Sequence, residues 1–137
     1  VAKRTYLDSG VLLAAFKGEG NKGKRAIEIL DDPERELLVS EAVWLEVMPK
    51  PIYEKQQKER EFYETVFETS KRLTWSTPSL ARAAHVAQQY GIAAMDAIHV
   101  AQALDACAEE LITAEKPSKP IFRVQDIAVR SIQEEIA

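Results

Sequence analysis

Four acidic residues stand where an acid contrasts with its neighbours. Asp8 closes the strand-like run "RTYLD". Glu46 is the sole polar residue of "AVWLEVM". Asp96 heads the alanine-rich stretch "MDAIHVAQALDAC", and Glu115 follows the apolar "LITA". Each has a plain structural explanation. Asp8 and Asp96 suit helix caps, Glu46 the solvent stripe of an amphipathic helix, and Glu115 a loop beside Lys116. Taken together they share a placement: each lies at the carboxyl end of an expected strand, or on a helix leading from that edge. Four carboxylates gathered there repel one another and do not all ionise without compensation. Divalent cations supply it, and oxygen ligands without Cys or His favour Mg²⁺ or Mn²⁺ over Zn²⁺. Such ions generate a nucleophilic water and stabilise in-line displacement at a phosphodiester, paired metals lying ~3.5–4 Å apart.

The elements that must position these acids alternate in type. Strands are expected at Arg4–Asp8, Glu36–Ser40, Leu73–Ser76 and Glu110–Ala114. A last edge strand is expected at Ala128–Ile132, although Val129, Ile132 and Ile136 also suit a short helix. Helices are expected in "SGVLLAAFKG", in "NKGKRAIEILDD" up to Pro33, and in "EAVWLEVMPK", capped by Ser40 and ended by Pro49 and Pro51. Ile52–Leu73 reads as one long helix. "TPSLARAAHVAQQYG" has Thr77 as cap, Pro78 at the first position and Gly91 past the end; a helix across Tyr90–Cys107 follows. Strands separated by helices predict an α/β fold around a mainly parallel sheet. Ligands in such sheets collect beyond the strands' carboxyl ends, near the reversal of strand order.

At 137 residues the chain fits a single domain, 1–137, with 46% hydrophobic and 29% charged residues. No apolar run approaches membrane-spanning length, and "VAKRTYLDSG" has no signal-peptide core, so a cytoplasmic location without membrane contact is expected. The lone Cys107 excludes an internal disulfide and a multi-cysteine metal site, and is expected in the core. The net charge of −4 argues against a general polyanion binder, but metal-holding acids bias that count, so a nucleic-acid enzyme stays open. Basic residues at Lys3 and Arg4, Lys22–Arg25, Lys116, Lys119 and Arg123 fall near loops that could flank a cleft; a solvated surface is the commoner reading.

Other chemistry is poorly supported. With His85 and His99 the only histidines, a zinc hydrolase lacks ligands. His99, three residues after Asp96, is expected to be a hydrogen-bonded helix residue near the site. Gly10, Gly18, Gly20 and Gly23 form no phosphate loop, and Ser9 has no recognisable His–Asp relay.

The segments "YLDSGVLLA", "VSEAVWLEV", "AAMDAIHVAQAL" and "LITAEK" resemble the successive motifs of the PIN-domain family. The resemblance spans nearly the whole chain, and "DAIHVAQAL" with the following "LIT" is its most specific part. It implies a three-layer α/β/α fold with a central parallel sheet of four or five strands, and a Mg²⁺- or Mn²⁺-dependent ribonuclease site. By motif position Asp8, Glu46 and Asp96 are its acids, with Thr113 and Glu115 at the fourth station and Ser9 and Thr113 in support. Small members are commonly VapC-like toxins, dimeric and inhibited by a small antitoxin protein. One position departs from the pattern: the fourth station usually reads "TxD", and here it reads "TAE", so Glu115 is expected to reach metal through water. Two further readings stand beside an RNA-cleaving toxin. One is a PIN-like domain that has lost chemistry and binds RNA or protein. The other is a phosphoacceptor domain built on Asp8, Thr113 and Lys116, which lacks an acceptor acid ending a middle strand. Tyr53, Phe62 and Tyr63, among charges on Ile52–Leu73, are the expected anchors of the homodimer.

Overall fold

The structure, a computed structural model, describes residues 2–136. Strand β1 (Lys3–Leu7) runs through the middle of a five-stranded sheet. Its companions are β2 (Arg35–Ser40), β3 (Lys71–Leu73), β4 (Glu110–Thr113) and β5 (Ala128–Ser131). The order is β3-β2-β1-β4-β5, and every pairing is parallel. Tyr6 lies opposite both Leu38 and Leu111, which sets the register at the centre. All four β4 residues are buried, as are the last three of β1; short apolar runs of this kind belong to strands covered on both faces.

Parallel neighbours require crossovers, and the intervening chain supplies helices. These are α1 (Ser9–Lys17), α2 (Gly20–Leu30), α3 (Glu41–Val47), α4 (Pro49–Tyr53), α5 (Gln57–Thr69), α6 (Thr77–Tyr90) and α7 (Ala94–Asp105). They flank the sheet to give the three-layer α/β/α architecture. Leu7, Leu38, Val39, Leu111 and Ile112 from the sheet meet Leu12, Val43, Val100 and Ala103 from the helices, all without exposed surface. No helix among the described residues is long and apolar enough to cross a membrane.

Several elements differ from their sequence-based expectations. The third strand lies at Lys71–Leu73, not Leu73–Ser76, because its pairing with β2 ends at Ser40↔Leu73. Ser76, not Thr77, caps α6: its hydroxyl accepts the Ser79 N–H at 3.3 Å, and Thr77 is already helical. Pro49 opens α4 rather than closing α3, consistent with a missing N–H that a first turn does not use. The long helix across Ile52–Leu73 is two helices, parted where Lys55 takes a φ of 55° and Gln56 N–H donates to the Pro51 carbonyl at 2.8 Å. The helix expected across Tyr90–Cys107 is confined to Ala94–Asp105, and Cys107 is exposed rather than buried, at a φ of 55°. Ala128–Ser131 is the edge strand, not a helix. Tyr63 is fully buried and packs with Phe62 and Phe16, which leaves Tyr53 as the exposed aromatic of that segment.

The amino edge of the sheet is tied by one buried acid. Glu110, 1% exposed, accepts from Thr5 Oγ1 at 2.6 Å and Arg35 Nε at 2.8 Å, with Arg130 at 3.3 Å and Lys3 at 3.8 Å. Burial pushes its carboxyl up, but Arg35, Thr5 and Lys3 outweigh that and hold it below its usual range. Lys3 is therefore engaged at the edge opposite Asp8, as is Arg4, paired with Glu36 at 3.3 Å. Neither flanks a cleft at the carboxyl edge.

Candidate active site

The carboxyl edge of β1, β2 and β4 carries the site, at the point where strand order reverses around β1. Asp8 is the first residue beyond β1. Its N–H donates to the Ile112 carbonyl at 3.1 Å, so the ladder extends one residue past the strand. Its Oδ1 accepts the Val11 N–H at 3.3 Å and caps α1. The Thr113 hydroxyl donates a further bond to the same carboxylate. Asp8 is 8% exposed, and burial pushes its carboxyl up to about 6; Thr113, His99 and Val11 oppose the rise and Glu46 adds to it.

Gly10 permits this approach. A Cβ there would stand 2.7 Å from the Ala114 Cβ, so only glycine lets the first turn of α1 sit against the end of β4.

Glu46 projects from α3 and meets His99 Nε2 at 2.6 Å. Burial raises its carboxyl, but the hydrogen bond and charge of His99 and a bond from Ser9 together hold it below its ordinary value. His99 is 3% exposed, and its Nδ1 lies 2.8 Å from the Tyr6 hydroxyl, itself 2.7 Å from Ser40 Oγ. Ser40 Oγ accepts the Val43 N–H at 3.2 Å and caps α3, the helix that carries Glu46. Burial drives the Tyr6 phenol well up.

Asp96 occupies the first turn of α7 but does not cap it. The N-cap is Ala93, which has no side-chain bond to the helix. Burial lifts the Asp96 carboxyl, Glu115 and then Glu46 add repulsion, and His99 opposes them. Glu115 lies just beyond β4, its N–H donating to Thr113 Oγ1 at 3.1 Å and its carbonyl accepting from Ser131 at 2.5 Å. Thr113 therefore bridges the Asp8 carboxylate and the Glu115 backbone N–H.

The four predicted acids thus reach one edge, where Glu46 acts on Asp8 and Asp96 and Glu115 acts on Asp96, with Ser9 and Thr113 beside them. His99 is the basic group that acts on Asp8, Glu46 and Asp96 alike. His85 is exposed on α6. Sequence reasoning missed Tyr6 and the inward role of the Ser40 hydroxyl. The available signal was alternation, since Tyr6 and Asp8, two apart on one strand, share a face.

The donor chemistry suits a hard cation: carboxylate oxygens, with Asp8 and Asp96 raised first by burial and further by neighbouring carboxylates. Among the described residues no three acid, histidine or cysteine side chains form a closed ligand set.

An apolar groove of about 500 Å³ adjoins these acids, lined by Trp44, Leu45, Trp75, Met95 and Ile98, with Glu41 and Arg72 among its walls. Leu45 precedes Glu46 on α3 and Met95 precedes Asp96 on α7, so the groove and these two acids occupy adjacent faces of the same two helices.

The PIN domain family model matches residues 5–116. No curated protein matches the chain. Among solved structures, FitAcB from Neisseria gonorrhoeae is 19% identical, with a TM-score of 0.75 over 96% of this chain and 99% of that one. VapBC2 from Rickettsia felis, bound to a DNA fragment from its promoter, is 14% identical, with a TM-score of 0.71 over 93% and 98%. A toxin-antitoxin complex from Klebsiella pneumoniae is 24% identical, with a TM-score of 0.64 over 81% and 86%. At these identities the likeness is one of fold.

Proposed function

Because the chain belongs to the PIN-domain family, a family of nucleases, we propose that it is a Mg²⁺- or Mn²⁺-dependent endoribonuclease, the toxin of a cytoplasmic toxin–antitoxin pair. One observation carries the chemical part. Asp8, Glu46, Asp96 and Glu115 lie at one edge, and the acidic forms of Asp8 and Asp96 are favoured by burial and by the other carboxylates. A site left in that condition is suited to a divalent cation.

In this reading Asp8, Asp96 and Glu46, the last steered by His99 and Ser9, would hold the ion, and Glu115 would act on it through water. The ion would supply a nucleophilic water and stabilise in-line displacement at phosphorus. Asp8 must lose its proton to serve, so ion affinity rises with pH through about 6. The partner reading rests on the toxin–antitoxin complexes among the similar folds. It implies an antitoxin protein that covers the site and a homodimer.

The test is a Mn²⁺ titration followed by thermal unfolding, with cleavage of a mixed single-stranded RNA measured in parallel. Wild type should gain stability with Mn²⁺ and cleave. Asp96→Asn should lose cleavage while remaining folded. Cleavage by Asp96→Asn at the wild-type rate would overturn the site. A wild type that neither responds to Mn²⁺ nor cleaves would instead leave a PIN-like binding module.

A further inference from the structure

Glu46 is held from both ends by one hydrogen-bonded chain. Its carboxylate meets His99 Nε2 at 2.6 Å, His99 Nδ1 meets the Tyr6 hydroxyl at 2.8 Å, and Tyr6 meets Ser40 Oγ at 2.7 Å. Ser40 in turn accepts the Val43 N–H at 3.2 Å, in the first turn of the helix bearing Glu46. The loop closes on its own starting element. Tyr6 and Ser40 have no exposed surface and His99 is 3% exposed, so water does not compete for these bonds.

With the His99 ring neutral, the proton positions follow from the network. An ionised carboxylate only accepts, so the hydrogen lies on Nε2. In the neutral ring Nδ1 is then an acceptor, and Tyr6 must donate to it. Having spent its hydrogen, the Tyr6 oxygen accepts from Ser40, and the Ser40 oxygen accepts from Val43. Every link is used, and all run toward Glu46. The Nε2–H tautomer of His99 is therefore demanded by Glu46 and matched by Tyr6, a tyrosine with no exposed surface.

We propose that Tyr6 and His99 are positioning residues which, together with Ser40, lock the Glu46 carboxylate and its helix in one orientation toward the cleft. The consequence for ion binding rests on the nuclease reading; the lock itself does not. Partners that orient a ligating group typically change metal affinity or activity by about 10–100-fold when removed. Tyr6→Phe deletes one oxygen and leaves the ring. It should weaken apparent Mn²⁺ affinity about tenfold, while the rate at saturating Mn²⁺ falls much less. His99→Leu should be worse, and His99→Gln, which retains an N–H within reach of Glu46, should recover part of the loss.

Two measurements test this. Nitrogen-detected NMR of the metal-free protein, at a pH where the ring is neutral, should show His99 in wild type as a single Nε2–H tautomer with slow exchange. Tyr6→Phe should keep that tautomer, which Glu46 still demands, but exchange fast, because the ring has lost its second anchor. Mn²⁺ titration by thermal shift should then rank affinity as wild type, His99→Gln, His99→Leu. An Nδ1–H tautomer in wild type overturns the lock, and so does a Tyr6→Phe protein with wild-type exchange and Mn²⁺ affinity. If wild type binds no Mn²⁺ and cleaves no RNA, the nuclease reading fails and the exchange rates alone decide. Slow exchange in wild type and fast exchange in Tyr6→Phe sustain the lock, and identical exchange refutes it. Should Tyr6→Phe fail to fold, Ser40→Ala cuts the same chain one link earlier and is judged by the same outcomes.

Discussion

Asp8 is an acid in a place that favours a neutral group. Its carboxyl rises from the ordinary 3.8 to about 6, chiefly through burial. The folded state therefore binds the proton more tightly than the unfolded state does. The stability this contributes is fully present below the unfolded value and is lost as pH rises through about 6. A shift of this size corresponds to roughly 3 kcal/mol. Asparagine keeps an oxygen for the Val11 N–H and for the Thr113 hydroxyl, and carries no charge. With chelator present, Asp8→Asn should be more stable than wild type at pH 7 and gain little at pH 4. Urea denaturation at both values checks this, and an advantage independent of pH would show that charge is not the cause. Glu115 makes a different prediction, because the "TAE" station carries one methylene more than the usual acid. Glu115→Gln should weaken Mn²⁺-dependent cleavage less than Asp96→Asn does, and Glu115→Asp should preserve or raise it. Rates at several Mn²⁺ concentrations distinguish these, and silence of both Glu115 variants would remove that residue from the site.

At the scale of elements, the cleft depends on how closely helix starts approach strand ends. Two starts use a side-chain cap from the preceding strand's end, Asp8 for α1 and Ser40 for α3, whereas α7 begins without one. Its first-turn acid is thereby left for the cleft. The tightest approach is at Gly10. Glycine to alanine inside a helix ordinarily stabilises by about 1 kcal/mol. Here the new methyl would meet the Ala114 Cβ at 2.7 Å, and a Cβ cannot swing aside as a long side chain can. Gly10→Ala should therefore destabilise by about 1–3 kcal/mol and lower activity by displacing Asp8 from Thr113. Adding Ala114→Gly should recover most of both, a coupling that a double-mutant cycle measures. Independent, additive losses would mean that the contact is not what holds the two elements. The same scale explains where element boundaries shifted. Prolines 49 and 51 signal a break in either direction, and the left-handed turn at Lys55 leaves no mark in residue type.

Across the whole molecule, the proposed homodimer has a better surface than the aromatics of α5. Tyr63 is spent on the core, while Leu45 is 66% exposed and Trp75 and Met95 line the same groove. Glu41 and Arg72, opposite in charge, sit in its walls, so a two-fold copy can set each against the other's counterpart. Leu45→Arg should convert a dimer to a monomer by light scattering at micromolar concentration, and Tyr53→Ala should not. The reverse result would return the interface to α4 and α5. The chain by itself determined the alternation of strands and helices, because β-rich runs, caps and terminal glycines act within a few residues. It also marked Asp8, Glu46, Asp96 and Glu115, since each acid contrasts with an apolar neighbourhood, and sheet topology carries strand ends to one edge. Only the tertiary structure decided which charges are paired. Glu110 looks like any strand-end acid, yet the parallel register brings Thr5, Arg35 and Arg130 onto it from three other strands. Tyr6 reads as a core residue, and its hydroxyl finds His99 only because β1 passes beneath α7. Burial and pairing arise between residues far apart in the chain, so local residue types carry almost no trace of them.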